Sequence, residues 1–148
     1  MNMDLANIIA AVLRLSTKPP SVSKGSIALG TWGERLAARA LRGRGWKIIY
    51  RNYRGSHGGE IDLVCRDHET LVFVEVKTRR DEKFSRPLDA VNRKKRDLIK
   101  RGALSWLRLL DHPNIPFRFD VVEVIAIEPP EIRVIKNVFQ LPHWLNLA

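Results

Sequence analysis

The sequence has little cysteine and no apolar stretch long enough to cross a membrane. Cys65 is the only cysteine among 148 residues, which excludes an intrachain disulfide and a zinc site built from several thiolates. The apolar run from Ile8 to Leu13 is far too short to span a bilayer, and no basic segment precedes it as in an export signal. We therefore expect a cytoplasmic protein without stable membrane insertion.

Acidic residues are also scarce relative to basic ones. The chain has 26 Lys and Arg against 16 Asp and Glu, a formal net charge of +10. A domain this basic attracts polyanions, because phosphate contacts release bound counterions. Nucleic acid, most of all DNA, is the expected partner, with ribosomal RNA or an anionic membrane surface as alternatives. A basic face that meets only solvent would have the same composition.

The length and the hydrophobic pattern predict one domain with both helices and strands. Pro19 and Pro20 interrupt any helix near the start, so we assign residues 1–24 to a flexible or partly helical extension. The domain then covers residues 25–141 and a C-terminal tail covers 142–148. Apolar spacing and alternation predict a helix, three strands, a helix and two strands, at 27–41, 46–50, 60–65, 71–77, 88–110, 117–127 and 132–135. Residues 51–59 are predicted to be a basic loop, and the fold class is α/β, with a central mixed β-sheet flanked by helices.

The second and third predicted strands carry the residues with the clearest chemistry. A four-residue turn at 67–70 would pair Arg66 with Leu71. The same count places Asp62 opposite Glu75. Cross-strand partners point to the same face with Cβ atoms about 5 Å apart, so these carboxylates would converge. Because Mg²⁺ binds hard oxygen ligands and usually only one or two carboxylates, the register predicts a metal site at Asp62 and Glu75.

Lys77 extends this pattern. It follows Glu75 by two residues, so it is predicted on the same face, opposite Glu60. Phosphodiester hydrolysis needs a cation to neutralise developing charge and to activate water, and an ammonium group there could orient the water or stabilise the phosphate. The alternative is an exposed sheet face on which Glu and Lys form ordinary ion pairs.

Several sequence blocks resemble a known family. Glu75-Val76-Lys77, preceded by Asp62, is similar to the PD-(D/E)XK signature of restriction-endonuclease-like nucleases. The wider set resembles the YraN-like family of uncharacterised bacterial proteins, over roughly Gly25 to Leu141. Its blocks are Gly30-Thr-Trp-Gly33-Glu34, Arg51-Asn-Tyr-Arg54, Gly59-Glu-Ile-Asp-Leu-Val64, Phe73-Val-Glu-Val-Lys-Thr-Arg79, Arg118-Phe-Asp-Val-Val122 and Asn137-Val-Phe139. This chain departs from the pattern at Ile61, where the signature has proline, and in the loop Ser56-His-Gly-Gly59.

The resemblance implies a restriction-endonuclease-like three-layer fold, similar to that of archaeal Holliday-junction resolvases, and makes residues 25–141 a nuclease-like domain. It implies catalytic roles for Glu34, Asp62, Glu75 and Lys77. Asp62 and Glu75 would bind Mg²⁺ or Mn²⁺, with the Val76 carbonyl as a further ligand. The role of Glu34 depends on the resemblance alone.

Basic residues near these strands and on the second helix are candidate phosphate contacts. They are Arg51, Arg54, Arg79, Arg80, Arg93, Lys94, Lys95 and Arg96. They suit recognition of shape rather than of base sequence, as in branched or junction DNA. A homodimer would help symmetric junction cutting, although no residue argues for one.

Two further residues have alternative interpretations. His57 could touch substrate or simply be solvated, and Asp120 could support the site or fill a structural hydrogen-bonding role. The four tryptophans are expected in the core.

The expected function is a Mg²⁺-dependent endonuclease-like activity on DNA. One alternative is a non-catalytic nucleic-acid-binding module that keeps a nuclease fold. Another is a structural partner in a ribosomal or membrane-proximal assembly.

Overall fold

In a computed structural model, the structure describes residues 17–81, 92–111 and 113–141. The elements follow the predicted order of helix, three strands, helix and two strands. They are α1 (Gly25–Gly43), β1 (Lys47–Arg54), β2 (Glu60–Asp67), β3 (Thr70–Arg79), α2 (Arg93–Leu109), β4 (Phe117–Ile125) and β5 (Glu131–Phe139), with a short 3₁₀ turn at Val22–Lys24 before α1. None of the helices in these ranges combines the length and apolar content that a membrane span requires.

The five strands form one mixed sheet in sequential order. β3 and β4 are parallel, and the other neighbouring strands are antiparallel. A parallel pair needs a long crossover connection, and α2 lies within it. The predicted central mixed sheet is confirmed.

The two helices cover opposite faces of this sheet. Trp32, Leu36 and Leu41 of α1 pack on one face, against Leu63 and other buried strand residues. The opposite face packs on α2, through Ile99, Ala103, Trp106 and Leu107. These two apolar layers make a three-layer α/β/α fold, as predicted. Trp46 is buried together with Trp32 and Trp106, whereas Trp144 lies outside the described residues.

The first strand is longer than predicted. The sequence was interpreted as a strand at 46–50 and a basic loop at 51–59, but β1 continues to Arg54. Tyr53 is buried, with its ring centroid 5.0 Å from that of Trp106 and its hydroxyl 2.9 Å from Ser105 Oγ. This packing on α2 overrides the polar composition of the segment.

The second helix starts later than predicted. It begins at Arg93 rather than at residue 88, because Asn92 has an extended backbone and caps the helix. Its side-chain oxygen accepts a hydrogen bond from the N–H of Lys95, 2.9 Å away, the usual way to satisfy a free N–H of a first turn. Residues 88–91 lie outside the described residues.

Two close approaches set the distance between the helices and the sheet. A Cβ at Gly33 of α1 would overlap the side chain of Thr78. A Cβ at Gly59, just before β2, would overlap the backbone of Gly102 in α2. Because both positions are glycine, the backbone there can approach its neighbours closely. The next residues in the chain, Glu34 and Glu60, therefore lie close to the same end of the sheet.

Candidate active site

Asp62 and Glu75 lie where β2 and β3 stop pairing. The predicted pair Arg66–Leu71 is present, and the ladder continues only to Leu63–Val74. Asp62 then joins the neighbouring strand through its side chain, because the N–H of Val76 donates to Asp62 Oδ2 at 2.8 Å. A hydrogen bond from a backbone N–H both stabilises a carboxylate and fixes its orientation.

Glu75 is the most unusual carboxyl group of this region. It is only 6% exposed, and its Oε2 meets no hydrogen-bond donor in the described part of the chain. Burial, the charge of Asp62 and a hydrogen bond shared with that carboxyl raise the pKa of Glu75 above its usual range. Buried carboxyls without full hydrogen bonding are costly to the fold, and they are concentrated at functional sites.

Glu34 reaches the same cluster from α1. Burial and the charge of Asp62 raise its pKa, against the opposing effect of a hydrogen bond from Asn52. Asn52 has φ of 51°, a left-handed conformation that Asn tolerates better than most residues. Nothing in the sequence pattern singled out Asn52, since its contact with Glu34 joins β1 to α1.

Lys77 lies on β3, two residues beyond Glu75, and has no ion-pair partner in the described ranges. The β2–β3 ladder ends at Leu63–Val74, so neither of the predicted pairs beyond it, Asp62–Glu75 and Glu60–Lys77, is a ladder pair. On the other edge of β2, Glu60 is the strand partner of Arg54 of β1. In the parallel β3–β4 ladder, the backbone of Lys77 lies in register with that of Glu123 of β4. Glu123 is buried and lies 3.6 Å from Arg79.

Lys95 of α2 joins the carboxyl cluster from the other side of the sheet end. Its ammonium group is ion-paired with Glu60 and lies 3.5 Å from Glu75 Oε1. Burial would lower the pKa of Lys95, but the hydrogen bond to Glu60 and the neighbouring carboxylates raise it. Lys95 was predicted only as a candidate phosphate contact, and no sequence pattern indicates these ion pairs, because α2 and the end of the β2–β3 ladder are far apart in sequence.

The other predicted phosphate contacts divide into two groups. Arg79 is paired with Glu123, and Arg80 donates to the carbonyl oxygens of Pro20 and Ser21 at 3.0 and 3.3 Å. Exposed side chains near the cluster are Arg51, Arg54, Arg93 and Lys94, whereas Arg96 is half-buried. Their roles in nucleic-acid binding stay predictions.

The two residues with alternative interpretations, His57 and Asp120, form their hydrogen bonds with residues outside the carboxyl cluster. His57 is exposed and hydrogen-bonded to Ser56 at 2.9 Å. Asp120 accepts hydrogen bonds from Arg118 and from the N–H of Asn137. Asp120 is therefore hydrogen-bonded as the structural interpretation expects, and its strand partner on β3 is Val74, next to Glu75.

The residues at this site fit a hard divalent cation in one respect. The described residues contain no group of three or more His, Cys, Asp or Glu placed to hold a metal ion. Mg²⁺, however, is commonly bound through one or two carboxylates, with water and substrate as its other ligands. Asp62 with the unpaired, buried Glu75 Oε2 is a donor set of this kind.

Comparison of the sequence with known proteins identifies a family and several relatives. The family model described as "Uncharacterised protein family UPF0102" matches residues 33–124. A UPF0102 protein of Nocardia farcinica is 49% identical over 114 residues, 76% of this chain and 89% of the relative. One from Geobacter sulfurreducens is 44% identical over 117 residues, 78% and 91% of the two chains. One from Trichlorobacter lovleyi is 39% identical over 127 residues, 84% and 99% of the two chains.

Proposed function

This chain belongs to the UPF0102 family, the YraN-like family that its motifs resemble, and we propose that it is a metal-dependent endonuclease-like protein that hydrolyses phosphodiester bonds in DNA. The observation that carries the proposal is the carboxyl pair of half-buried Asp62 and buried Glu75, with Glu75 Oε2 unpaired among the described residues. Such an arrangement costs stability unless a cation offsets it. It therefore favours a site selected for binding and chemistry rather than for the fold.

Each residue of the site has a proposed task. Asp62, held by the N–H of Val76, and Glu75 would hold Mg²⁺ or Mn²⁺. When bound, the ion would neutralise charge on the phosphoryl oxygens and lower the pKa of a water. Lys77, whose ammonium has no ion pair within the described ranges, would orient that water or stabilise the phosphate. Glu34 would be a third acidic group.

The proposed substrate is DNA in the cytoplasm, branched or junction DNA above all. The net charge of +10 favours a polyanion, and exposed Arg51, Arg54, Arg93 and Lys94 near the site would contact phosphates. They carry no base-reading pattern, so recognition would depend on the shape of the DNA. A homodimer would present two sites to a symmetric junction.

The test is cleavage of linear, flapped and four-way DNA in the presence of Mg²⁺ or Mn²⁺. We expect wild-type cleavage to fall by about 10²-fold or more in Glu75→Ala and Lys77→Ala, because each removes a group from the reacting centre. Matched controls are Glu69→Ala and Lys47→Ala, which change exposed residues of neighbouring strands and turns. Equal activity in all five proteins would overturn the proposal, and cleavage of RNA alone would correct the substrate.

The second candidate is a non-catalytic nucleic-acid-binding module. It is favoured by the lack of a three-ligand metal group in the described residues and by the ion pairs that Lys95 makes with Glu60 and Glu75. Calorimetry distinguishes the two candidates. Metal affinity that is lost in Asp62→Asn supports the nuclease, whereas DNA binding without any metal affinity supports the binding module.

A further inference from the structure

Lys95 lies inside the carboxyl cluster rather than on its rim. Its side chain is 27% exposed, its ammonium is paired with Glu60, and Glu75 Oε1 is 3.5 Å away. The charge of Asp62 also acts on it. A single ammonium group thus serves several carboxyls at once.

The fold holds this lysine in place. The side chain of Asn92 caps α2 by accepting a hydrogen bond from the N–H of Lys95. This bond fixes the backbone of Lys95 in the first turn of the helix. The close contact of Gly59 with Gly102 brings the start of β2, and with it Glu60, against the same helix. Lys95 and its partners therefore meet because of backbone contacts, not because of a chance side-chain conformation.

One ammonium group does not balance the cluster. Glu34, Asp62 and Glu75 each influence their neighbours electrostatically, and Glu60 is a fourth carboxyl. Lys95 leaves Glu75 Oε2 buried without a donor from the described residues. The negative charge of the carboxylates and the unpaired Glu75 Oε2 are therefore available to a further cation beside Lys95.

A divalent cation on Asp62 and Glu75 would lie within a few ångströms of the Lys95 ammonium. A divalent ion and an ammonium group at that separation repel each other, and the repulsion is several times stronger in a partly buried site than in water. The ion and the ammonium group cannot both keep their most favourable contact with Glu75.

We infer that Lys95 is a built-in cation that competes with the divalent metal for Glu75, and that it gives up this contact when the metal binds. This inference rests on the proposed function, because it assumes the metal site. Glu60 would keep the displaced ammonium beside the site, where it becomes a contact for a substrate phosphate. Metal-free protein is then held in a state of lower metal affinity, in which the Lys95 ammonium offsets part of the carboxylate charge.

The experiment measures Mn²⁺ affinity from the EPR signal of the free ion, in wild type, Lys95→Gln and Lys94→Gln. Lys94 is exposed and adjacent, so its change removes the same charge from the same helical turn without touching Glu75. We expect Lys95→Gln to bind Mn²⁺ about tenfold more tightly than wild type, and Lys94→Gln to differ by less than about twofold. Binding of MgCl₂ should also raise the melting temperature of Lys95→Gln more than that of wild type.

Equal or weaker Mn²⁺ binding by Lys95→Gln would overturn this inference and leave the proposed function standing. Failure of every protein to bind Mn²⁺ would overturn both. Circular dichroism checks folding, and Lys95→Met, with an uncharged chain of similar length, is the second variant if Lys95→Gln does not fold. The same gain in affinity is expected of it.

Discussion

The two ends of the sheet both hold carboxylates beside basic side chains, and they differ in how completely those carboxylates are paired. We call the cluster of Asp62, Glu75 and Lys77 the site end, and the network of Asp67, Arg118 and Asp120, which reaches the β2–β3 turn through Asp67, the hairpin end. At the hairpin end Arg118 Nε lies 3.0 and 2.9 Å from the two oxygens of Asp120. Its Nη2 donates to Asp67 at 2.7 Å.

The hairpin end is fully hydrogen-bonded. The N–H of Asn137 donates to Asp120 Oδ1 at 2.8 Å, and the guanidinium of Arg118 lies over the ring of Trp46. The hydrogen bond from Arg118 holds the pKa of Asp67 down, at about 2. Burial raises the pKa of Asp120, and its hydrogen bonds oppose that rise.

At the site end the carboxyl groups are less completely hydrogen-bonded. Glu75 is buried with one oxygen unpaired in the described ranges, and its pKa is raised by burial and by Asp62. A satisfied network makes a fold rigid, whereas an unsatisfied one is retained where binding or catalysis needs it. The difference teaches that hydrogen-bonded ion pairs stabilise the hairpin end, whereas the site end keeps a buried carboxyl oxygen without a donor among the described residues.

The largest expected effect comes from breaking the hairpin end. Arg118→Met leaves Asp120, whose side chain is 0% exposed, without its cation. We expect a loss of about 3–5 kcal/mol in the free energy of unfolding, because an uncompensated buried charge remains. Urea denaturation measures it. Arg66→Met is the control, since it breaks the exposed pair with Glu69 and should cost less than about 1 kcal/mol; similar losses in both variants would contradict the comparison.

A smaller effect, and one that depends on pH, is expected at Asp67. Its pKa in the folded protein, about 2, is below the ordinary 3.8, so its contribution is present above about pH 4 and is lost as the pH falls towards 2. Near neutral pH, Asp67→Asn should cost on the order of 1–2 kcal/mol. The difference from wild type should disappear near pH 2, in denaturation curves measured across this range. A difference that stays constant with pH would mean that charge is not its cause, and exposed Glu69→Gln should show neither effect.

The smallest effect on stability is expected at the site end. Glu75→Gln replaces a carboxyl whose charged form is disfavoured by burial and by Asp62, and the amide can donate to the Asp62 carboxylate. We therefore expect a change within about 1 kcal/mol, on the stabilising side. Asp120→Asn is the matched change at the hairpin end and should cost about 2 kcal/mol or more, because charged hydrogen bonds are lost. Thermal unfolding of both variants measures the two changes in stability. A larger loss in Glu75→Gln than in Asp120→Asn would contradict the comparison of the two ends.

Much of the fold was predictable because the patterns that specify it are local. Alternation placed β2 and β3 and gave the correct pair Arg66–Leu71. It failed at β1, where burial of Tyr53 on α2 outweighs a polar sequence. It also failed at the start of α2, where the Asn92 cap decides the boundary.

By itself the sequence determined the order of the elements, the register of the β2–β3 hairpin and the placing of Asp62 and Glu75 on neighbouring strands. These follow from a period of two along each strand and from a short turn. Only the tertiary structure decided that Glu34 and Lys95 join those carboxyls and that Glu60 pairs with Lys95 rather than facing Lys77. The reason is that these contacts join residues distant in the chain. They depend on how closely each helix approaches the sheet, which Gly33 and Gly59 permit.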